Sequence, residues 1–170
     1  TATCKKKNIS INSFKSKKYK KFVKQFNELL LDLAKQVVRD GEGAKKLIKI
    51  NVRNAKTYLI ARNIALSVAN SLLVKTFFSS NELNFGRIFM AIGKSNELID
   101  QEKISFSLGN YLIAKNGVLL IRNSSNKIKQ YMNKKELSLE INLNSGKSQA
   151  TVYTCDLTQE YIKINTNYLS

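Results

Sequence analysis

The sequence predicts a mixed α/β domain in which helices and strands are interleaved along the chain. In some segments apolar residues recur at three- and four-residue steps, as on one face of a helix, and in others they alternate with polar residues, as in a half-buried strand. No internal repeat and no linker rich in glycine or proline divides the 170 residues. We therefore predict a single domain over residues 1–170, large enough to bury a hydrophobic core.

The first part of the chain is predicted to be mainly helical. Residues 1–17 are polar and lysine-rich, which predicts a loop or a frayed start. Residues 18–40 carry an apolar stripe at helical spacing, and Gly41 is a natural stop because glycine readily adopts the left-handed conformation. The next predicted elements are a strand at 46–53, a helix at 57–70 and a short apolar strand at 72–77.

The second part of the chain is predicted to be rich in β-structure. Asn116-Gly117 is typical of a tight hairpin, here between predicted strands at 111–114 and 118–121. The remaining predictions are a polar loop at 79–84, a helix at 85–92 ended by Gly93, strands at 104–108, 137–143 and 151–154, a helix at 126–133, a turn at 144–146 and a last strand at 161–165.

The net charge of +17 permits two interpretations. A strongly basic surface attracts phosphate backbones, so a nucleic-acid-binding module is one hypothesis, and it requires a continuous basic face with exposed aromatic residues. The other is biased residue usage with solvated lysines, since the chain is rich in Lys, Asn and Ile and lacks Pro, Trp and His. We favour the second, because net charge bears on solubility and association rather than on fold. Tyr19 and Phe22 do lie among lysines, but their helical spacing predicts core positions.

The absence of histidine restricts the chemistry. Neither a Ser-His-Asp triad nor a histidine-ligated metal site can be built within this chain, and we predict no metal site. Any nucleophile would need a lysine, a carboxylate or a free α-amine as its base. Two cysteines, Cys4 and Cys155, form no disulfide framework and suit a reducing compartment. With no secretory signal and no apolar run long enough for a membrane helix, the expected compartment is the cytoplasm.

Short motifs contain the candidate functional residues. Two glycines flank Glu42 in the Asp-Gly-Glu-Gly-Ala run at 40–44, where the backbone can turn sharply and a carboxylate can bind a substrate ammonium; a helix end with an exposed acid is the alternative. Arg87 either binds an anion or caps carbonyl groups. Asp156 is predicted to cap the next turn, and Cys155, which no histidine activates, to be a core thiol.

In their order along the chain, these segments resemble the ornithine acetyltransferases of arginine biosynthesis. The similarity runs from about residue 27 to the end and rests on five ordered motifs, which are far more specific than any one alone. The motifs are DLAKQVVRDGEGA at 32–44, the segments AR, IA, ANS and LVKT within 61–76, NFGR and AIG within 84–93, ATVYTCDLT at 150–158, and the closing motif at 161–170.

The resemblance implies a layered α/β sandwich and a bifunctional glutamate N-acetyltransferase, which moves acetyl from N2-acetyl-L-ornithine to L-glutamate. It implies no bound cofactor, although acetyl-CoA is a donor substrate for some members. The family precursor cuts itself into α and β chains, and the new N-terminal threonine of β becomes an acetyl-enzyme with its own α-amine as the base. The oxyanion donors belong to the α chain, and the expected assembly contains two copies of each chain.

Three substrate contacts are also implied by the resemblance. Glu42 matches the glutamate that pairs with the amino group of the substrate, and Asn165 and Ser170 match two polar positions of the closing motif. Ser170 stands where threonine is frequent and keeps the hydroxyl group. The three side chains are expected to converge on one pocket.

The chain also departs from the family. Lys45 stands where threonine is usual, Leu72 where proline is usual, and the loop at 80–87 differs. Thr1-Ala2-Thr3 is more similar to a later family segment than to the nucleophile, so we expect the nucleophilic threonine upstream of this chain, with Thr1 itself as the alternative. We therefore expect an incomplete β region that is inactive alone; a degenerate, non-catalytic paralogue is a further alternative.

Overall fold

The computed structural model describes residues 13–80, 82–120 and 126–167. The chain divides after Val37 into two compact units, which are described separately below. That the whole chain forms one domain remains a prediction. In the described ranges, no helix is long and apolar enough to cross a membrane.

Among the described residues of the first unit, 13–37, the main element is helix α1, which spans Lys17–Arg39 and continues for two residues into the second unit. The helix predicted at 18–40 is therefore confirmed within one residue at each end. Most of the loop predicted at 1–17 lies outside the described residues.

The expectation that Tyr19 and Phe22 belong to a core was wrong, because no residue of α1 is buried. Tyr19 is half-buried and Phe22 is 50% exposed. Phe22 stacks on Phe26 one turn later, with their ring centroids 5.7 Å apart.

The second unit is built on a mixed sheet, whose described strands lie in the order β4-β3-β2-β5-β1-β6. Strands β1 and β5 are parallel, and the other neighbouring pairs are antiparallel. The strands are β1 Leu47–Ala55, β2 Ser105–Leu108, β3 Tyr111–Lys115, β4 Val118–Leu119, β5 Glu136–Asn142 and β6 Ser148–Cys155.

Helices of the second unit pack on one another and on the sheet, with α2 in contact with β1, β6, α3 and α4. The strands bury alternate residues, such as Ile48, Ile50 and Val52 of β1, in a core that also contains the apolar faces of α2, α3 and α4. The helices are α2 Tyr58–Asn70, α3 Leu72–Ser79, α4 Gly86–Gly93, α5 Asn126–Met132 and α6 Gln159–Thr166. The predicted α/β class is thereby confirmed.

The hairpin predicted at Asn116-Gly117 is confirmed. Lys115 pairs with Val118, so that two residues connect β3 and β4, and both have positive φ, 50° for Asn116 and 77° for Gly117. Two consecutive left-handed residues define the turn whose twist matches that of the flanking strands. Ile121, the last residue of the predicted second strand, lies outside the described ranges.

The strand predicted at 72–77 was wrong, because this segment is helix α3. The Ser71 hydroxyl accepts a hydrogen bond from the amide of Val74 at 3.4 Å and so caps the first turn. Val74, Phe77 and Phe78 are buried at positions i, i+3 and i+4. An apolar run of this length is compatible with either structure in the sequence alone, and the packing of these side chains decides it.

The strand predicted at 161–165 was also wrong, because these residues belong to α6. Ile162 and Ile164 alternate with polar residues as in a strand, but Ile162 is 58% exposed and the alternation buries no face. The Thr166 hydroxyl donates to the carbonyl of Ile162 at 2.8 Å, as side chains near a helix end commonly do.

The start of α2 generates a stability prediction. Thr57 Oγ1 accepts a hydrogen bond from the amide of Ile60 at 3.2 Å, which satisfies a first-turn donor. Thr57→Ala is expected to lower the free energy of unfolding by about 1 kcal/mol, whereas Thr57→Ser keeps the hydroxyl and should change it by less than about 0.5 kcal/mol. Urea unfolding measures both, and equal stability of the two variants would contradict the capping role.

Candidate functional site

The residues between α1 and β1 form a tight turn that exposes Glu42. The amide of Gly41 donates to Val38 O at 3.4 Å, and the amide of Ala44 donates to Gly41 O at 2.9 Å. Helix α1 ends at Arg39, two residues before Gly41, so the predicted position of the helix end is confirmed. The left-handed stop predicted at Gly41 was wrong, because Gly43 and not Gly41 has the positive φ in this turn. The turn places the Glu42 side chain on the surface, where a ligand can reach its carboxylate.

Glu42 contacts Asn165, the second predicted site residue. Asn165 Nδ2 donates a hydrogen bond to Glu42 Oε2 at 2.7 Å, although the two residues are 123 positions apart in the sequence. The same amide nitrogen donates to the carbonyl of Tyr161 at 2.9 Å, one turn earlier in α6. The bond to its own helix orients the amide, so that its second N–H meets the carboxylate while the amide oxygen stays available as an acceptor.

Gly43 allows α6 to approach this turn closely. A Cβ atom on Gly43 would lie 2.5 Å from the amide nitrogen of Tyr161, and Gly43 has a φ of +67°. Both conditions suit glycine alone. The backbone of α6 therefore lies directly against Gly43, which brings Asn165 within reach of Glu42.

Ser170, the third predicted site residue, lies outside the described ranges. The structure thus brings together two of the three residues named from the sequence, and their substrate-binding role stays a prediction. A nearby cavity of about 420 Å³ does not include Glu42 or Asn165 in its lining. That cavity is lined by Lys45, Lys46, Ser79, Ser80, Asp156, Thr158, Gln159, Glu160 and Lys163.

Asp156 was predicted to cap the turn that follows it, and the structure assigns its carboxylate to a different turn. Asp156 Oδ1 accepts hydrogen bonds from the amides of Lys45 at 2.8 Å and Lys46 at 2.9 Å, at the start of β1. The residue is only 3% exposed. The sequence contains no local sign of these partners, since they lie 111 and 110 positions away.

Lys46 is half-buried beside Asp156. Its Nζ donates to the carbonyl of Phe78 at 2.6 Å, near the end of α3, where helix carbonyls lack partners within the helix. Burial lowers the pKa of the Lys46 ammonium below 10.5, and the negative charge of Asp156 partly opposes this shift.

The other two candidates have structural surroundings. Arg87 Nη1 donates to Leu73 O at 3.3 Å and to Thr76 Oγ1 at 2.9 Å, which favours the carbonyl-capping alternative over anion binding. Cys155 is half-buried and not a core residue as predicted, because its strand β6 lies at an edge of the described sheet. Among the described residues, no three Cys, Asp or Glu side chains form a group that could hold a metal ion.

Comparison with known proteins identifies the relationship of this chain. The family profile described as "ArgJ family" matches residues 2–170. The chain belongs to the ArgJ family. This membership confirms the resemblance to the ornithine acetyltransferases that the motifs indicate, and it covers nearly all of the chain.

Individual ArgJ relatives are similar over most of the chain. The sequence is 44% identical over 151 residues to the arginine biosynthesis bifunctional protein ArgJ of Bradyrhizobium diazoefficiens, covering 89% of this chain and 37% of the relative. It is 41% identical over 169 residues to the protein of the same description from Bartonella henselae, covering 99% of this chain and 41% of the relative. The chain therefore spans about two fifths of the length of these relatives.

A solved ArgJ structure confirms the fold. The chain superposes with a TM-score of 0.87 and 32% sequence identity on the crystal structure of the arginine biosynthesis bifunctional protein ArgJ from Bacillus halodurans. The match covers 92% of this chain and 73% of that chain. The arrangement of helices and strands is thus that of an ArgJ protein.

The close packing of α6 on Gly43 can be tested by adding one methyl group. Gly43→Ala is expected to lower the free energy of unfolding by about 1–3 kcal/mol, because the new Cβ overlaps the backbone of α6 and the positive φ adds strain. Gly93→Ala is the matched control, since a Cβ on Gly93 would meet no atom within 4 Å. Urea unfolding compares the two, and a Gly43→Ala protein as stable as the control would contradict this packing.

The lowered pKa of Lys46 generates a pH prediction. Between this pKa and 10.5, the unfolded chain binds more protons at Lys46 than the folded chain does, so folding becomes more favourable as the pH rises. The free energy of unfolding of the wild type, relative to that of Lys46→Met, should therefore increase as the pH rises toward 10.5. Lys45→Met, at the exposed neighbouring lysine, is the matched control. A wild-type free energy of unfolding that falls, or stays constant, relative to that of Lys46→Met as the pH rises toward 10.5 would contradict the prediction.

Proposed function

We propose that this chain is the β region of an acetyltransferase that moves acetyl from N2-acetyl-L-ornithine to L-glutamate in arginine biosynthesis. Membership of the ArgJ family supports this proposal, because relatives along most of the chain are described as arginine biosynthesis bifunctional proteins. The observation that carries it is the 2.7 Å contact between Glu42 and Asn165, two residues that the sequence motifs assign to substrate binding.

Glu42 and Asn165 have suitable chemistry for an amino-acid substrate. The carboxylate of Glu42 accepts a charge-assisted hydrogen bond from the amino group of the substrate, a stronger interaction than a bond between neutral groups. Asn165 donates a hydrogen bond to that carboxylate and offers its amide oxygen as a further acceptor. The hydroxyl of Ser170 is proposed as the third contact.

The proposed reaction proceeds through an acetyl-enzyme. The nucleophile is the N-terminal threonine of the β chain, made by self-cleavage of the precursor and located upstream of this sequence. Its hydroxyl attacks the acetyl carbonyl of N-acetylornithine, ornithine leaves, and the amine of glutamate then takes the acetyl group from the threonine ester. The α-amine of the threonine serves as the base, which suits a chain without histidine. The proposed reaction needs no bound cofactor. Acetyl-CoA is proposed as a second substrate that donates acetyl.

The proposed partner is the α chain of the same precursor, in an assembly of two copies of each chain. Helix α1 supports a covering partner because it has an apolar stripe but no buried residue. Phe22, Phe26, Leu30, Leu33 and Val37 on this stripe are between 46% and 74% exposed. A contiguous apolar surface of this kind typically marks a protein interface. The proposed location of the assembly is the cytoplasm.

The N-terminal half of α1 also favours a second candidate function. The stacked rings of Phe22 and Phe26 are about half exposed and lie among several lysines, as a nucleic-acid-binding module with a net charge of +17 would require. The apolar stripe, however, continues to Val37, beyond these lysines. The extension of the stripe favours a protein partner for α1 over a nucleic acid. Family membership favours the acetyltransferase over a nucleic-acid-binding module.

An acetyl-transfer assay on the whole reading frame, with any coding sequence upstream of Thr1, tests the proposal. N-acetylornithine and labelled glutamate are supplied, and labelled N-acetylglutamate is measured. Glu42→Ala is expected to raise KM by about tenfold to hundredfold, because a charged hydrogen bond is worth about 1.5–3 kcal/mol. Glu42→Gln keeps the shape of the side chain and loses its charge, so its KM should lie between those of the wild type and Glu42→Ala.

Glu102→Ala is the matched control, since Glu102 is an exposed glutamate in a short helical turn at Gln101–Lys103. Its kinetics should equal those of the wild type. A complete, self-cleaved protein that transfers no acetyl group would overturn the proposal and leave a degenerate paralogue or a nucleic-acid-binding protein. Retention of labelled single-stranded RNA on the inactive protein would then favour the second of these.

A further inference from the structure

The segment that follows β6 binds the backbone of the turn that carries Glu42. Asp156 Oδ1 accepts the amides of Lys45 and Lys46 at 2.8 and 2.9 Å, and the amide of Asp156 donates to Lys46 O at 3.4 Å. Two consecutive amides bound to one buried carboxylate oxygen restrict the direction in which the chain leaves the turn. The Asp156 carboxylate therefore anchors the end of the Glu42 turn at the start of β1.

Thr158 makes a second contact with the same turn. It occupies the N-cap position of α6, where a threonine hydroxyl ordinarily accepts a hydrogen bond from an amide of the first helical turn. Thr158 makes no such capping bond, and its Oγ1 donates to the carbonyl of Gly43 at 2.7 Å. The hydroxyl therefore links α6 to the residue next to Glu42.

These contacts join the two predicted binding residues by a short route. Gly43 follows Glu42 directly, and Thr158 leads into the helix that carries Asn165. The bond between Glu42 and Asn165 lies at an exposed surface, where one hydrogen bond adds only about 1 kcal/mol and cannot by itself hold two side chains in register. The backbone on each side must therefore set their relative position.

We infer that Asp156 and Thr158 are positioning residues of the substrate site, which hold Glu42 and Asn165 at the spacing that binds an amino-acid substrate. This inference rests on the proposed function. Asp156 and Thr158 act through the Glu42 turn and do not themselves contact the substrate. A purely structural role would lower stability without a selective effect on substrate binding.

The required group at each position is specific. At Asp156 the two amides need an acceptor oxygen in place, which Asp156→Asn supplies and Asp156→Ala removes. At Thr158 the Gly43 carbonyl needs a hydroxyl donor, which Thr158→Ser keeps and Thr158→Val, with nearly the same shape, removes. Each disruptive variant thus has a conservative counterpart at the same position.

The experiment measures acetyl transfer by these four variants in the whole reading frame. Asp156→Ala and Thr158→Val are expected to raise KM for glutamate about tenfold, with a smaller change in kcat, because a misplaced binding group weakens binding before it affects chemistry at another centre. Asp156→Asn and Thr158→Ser should restore KM to within about twofold of the wild type. If Asp156→Ala does not fold, the two Thr158 variants still decide the inference.

Hydrogen exchange at the Lys45 and Lys46 amides provides a readout that does not depend on activity. Exchange should be faster in Asp156→Ala than in Asp156→Asn, because the alanine variant leaves both amides without the carboxylate acceptor. Faster exchange together with an unchanged KM would overturn the positioning role. Equal KM values for Thr158→Val and Thr158→Ser would overturn it as well.

The exchange result also separates this inference from the proposed function. In one outcome the wild-type protein transfers no acetyl group, but amide exchange at Lys45 and Lys46 is still faster in Asp156→Ala. That outcome overturns both the acetyltransferase proposal and the role of Asp156 in substrate binding. The structural contact between Asp156 and the two amides would still stand. The positioning inference alone is overturned if the wild type is active, amide exchange at Lys45 and Lys46 does not change in Asp156→Ala, and KM for glutamate is unaltered in Asp156→Ala and Thr158→Val.

Discussion

The hydrogen bonds from the Lys45 and Lys46 amides to Asp156 join the start of β1 to the segment that follows β6, and the placement of the Glu42 turn depends on them. These two strands are neighbours in the sheet. Strand β1 also pairs with β5 and buries Ile48, Ile50 and Val52 in the core. Asp156 Oδ2 is buried without a hydrogen-bond partner among the described residues, and loss of the partners of Oδ1 as well would be costly. This carboxylate therefore favours the register in which both amides reach it.

The same anchor brings the candidate site together from distant parts of the chain. The Glu42 turn is bound by the segment after β6, and that segment continues into α6, which packs on Gly43 and carries Asn165. Neither binding residue is buried, so the core does not hold their side chains. The site therefore consists of exposed groups on a backbone that is restrained by buried or half-buried ones, an arrangement that leaves the groups accessible to a ligand without allowing them to drift apart.

Helix α1 carries an apolar face that no described residue buries. Its stripe of Phe and Leu side chains has the spacing of a buried helix face but is exposed in the described part of the chain. The chain spans about two fifths of the length of its ArgJ relatives, so most of the polypeptide that surrounds the corresponding region in those proteins has no counterpart here.

The sequence alone determined the α/β class, the long helix α1, the strands β1 and β5 and the Asn116-Gly117 hairpin, because periodicity and turn chemistry are local properties. Its motifs also indicated the family and named Glu42 and Asn165. Only the tertiary structure decided that 72–79 and 159–166 are helices, since short apolar or alternating runs suit both structures until their packing is known. It alone paired Asp156 with amides 110 and 111 positions away and Asn165 with a carboxylate 123 positions away, because contacts at such separations arise only when the chain has folded.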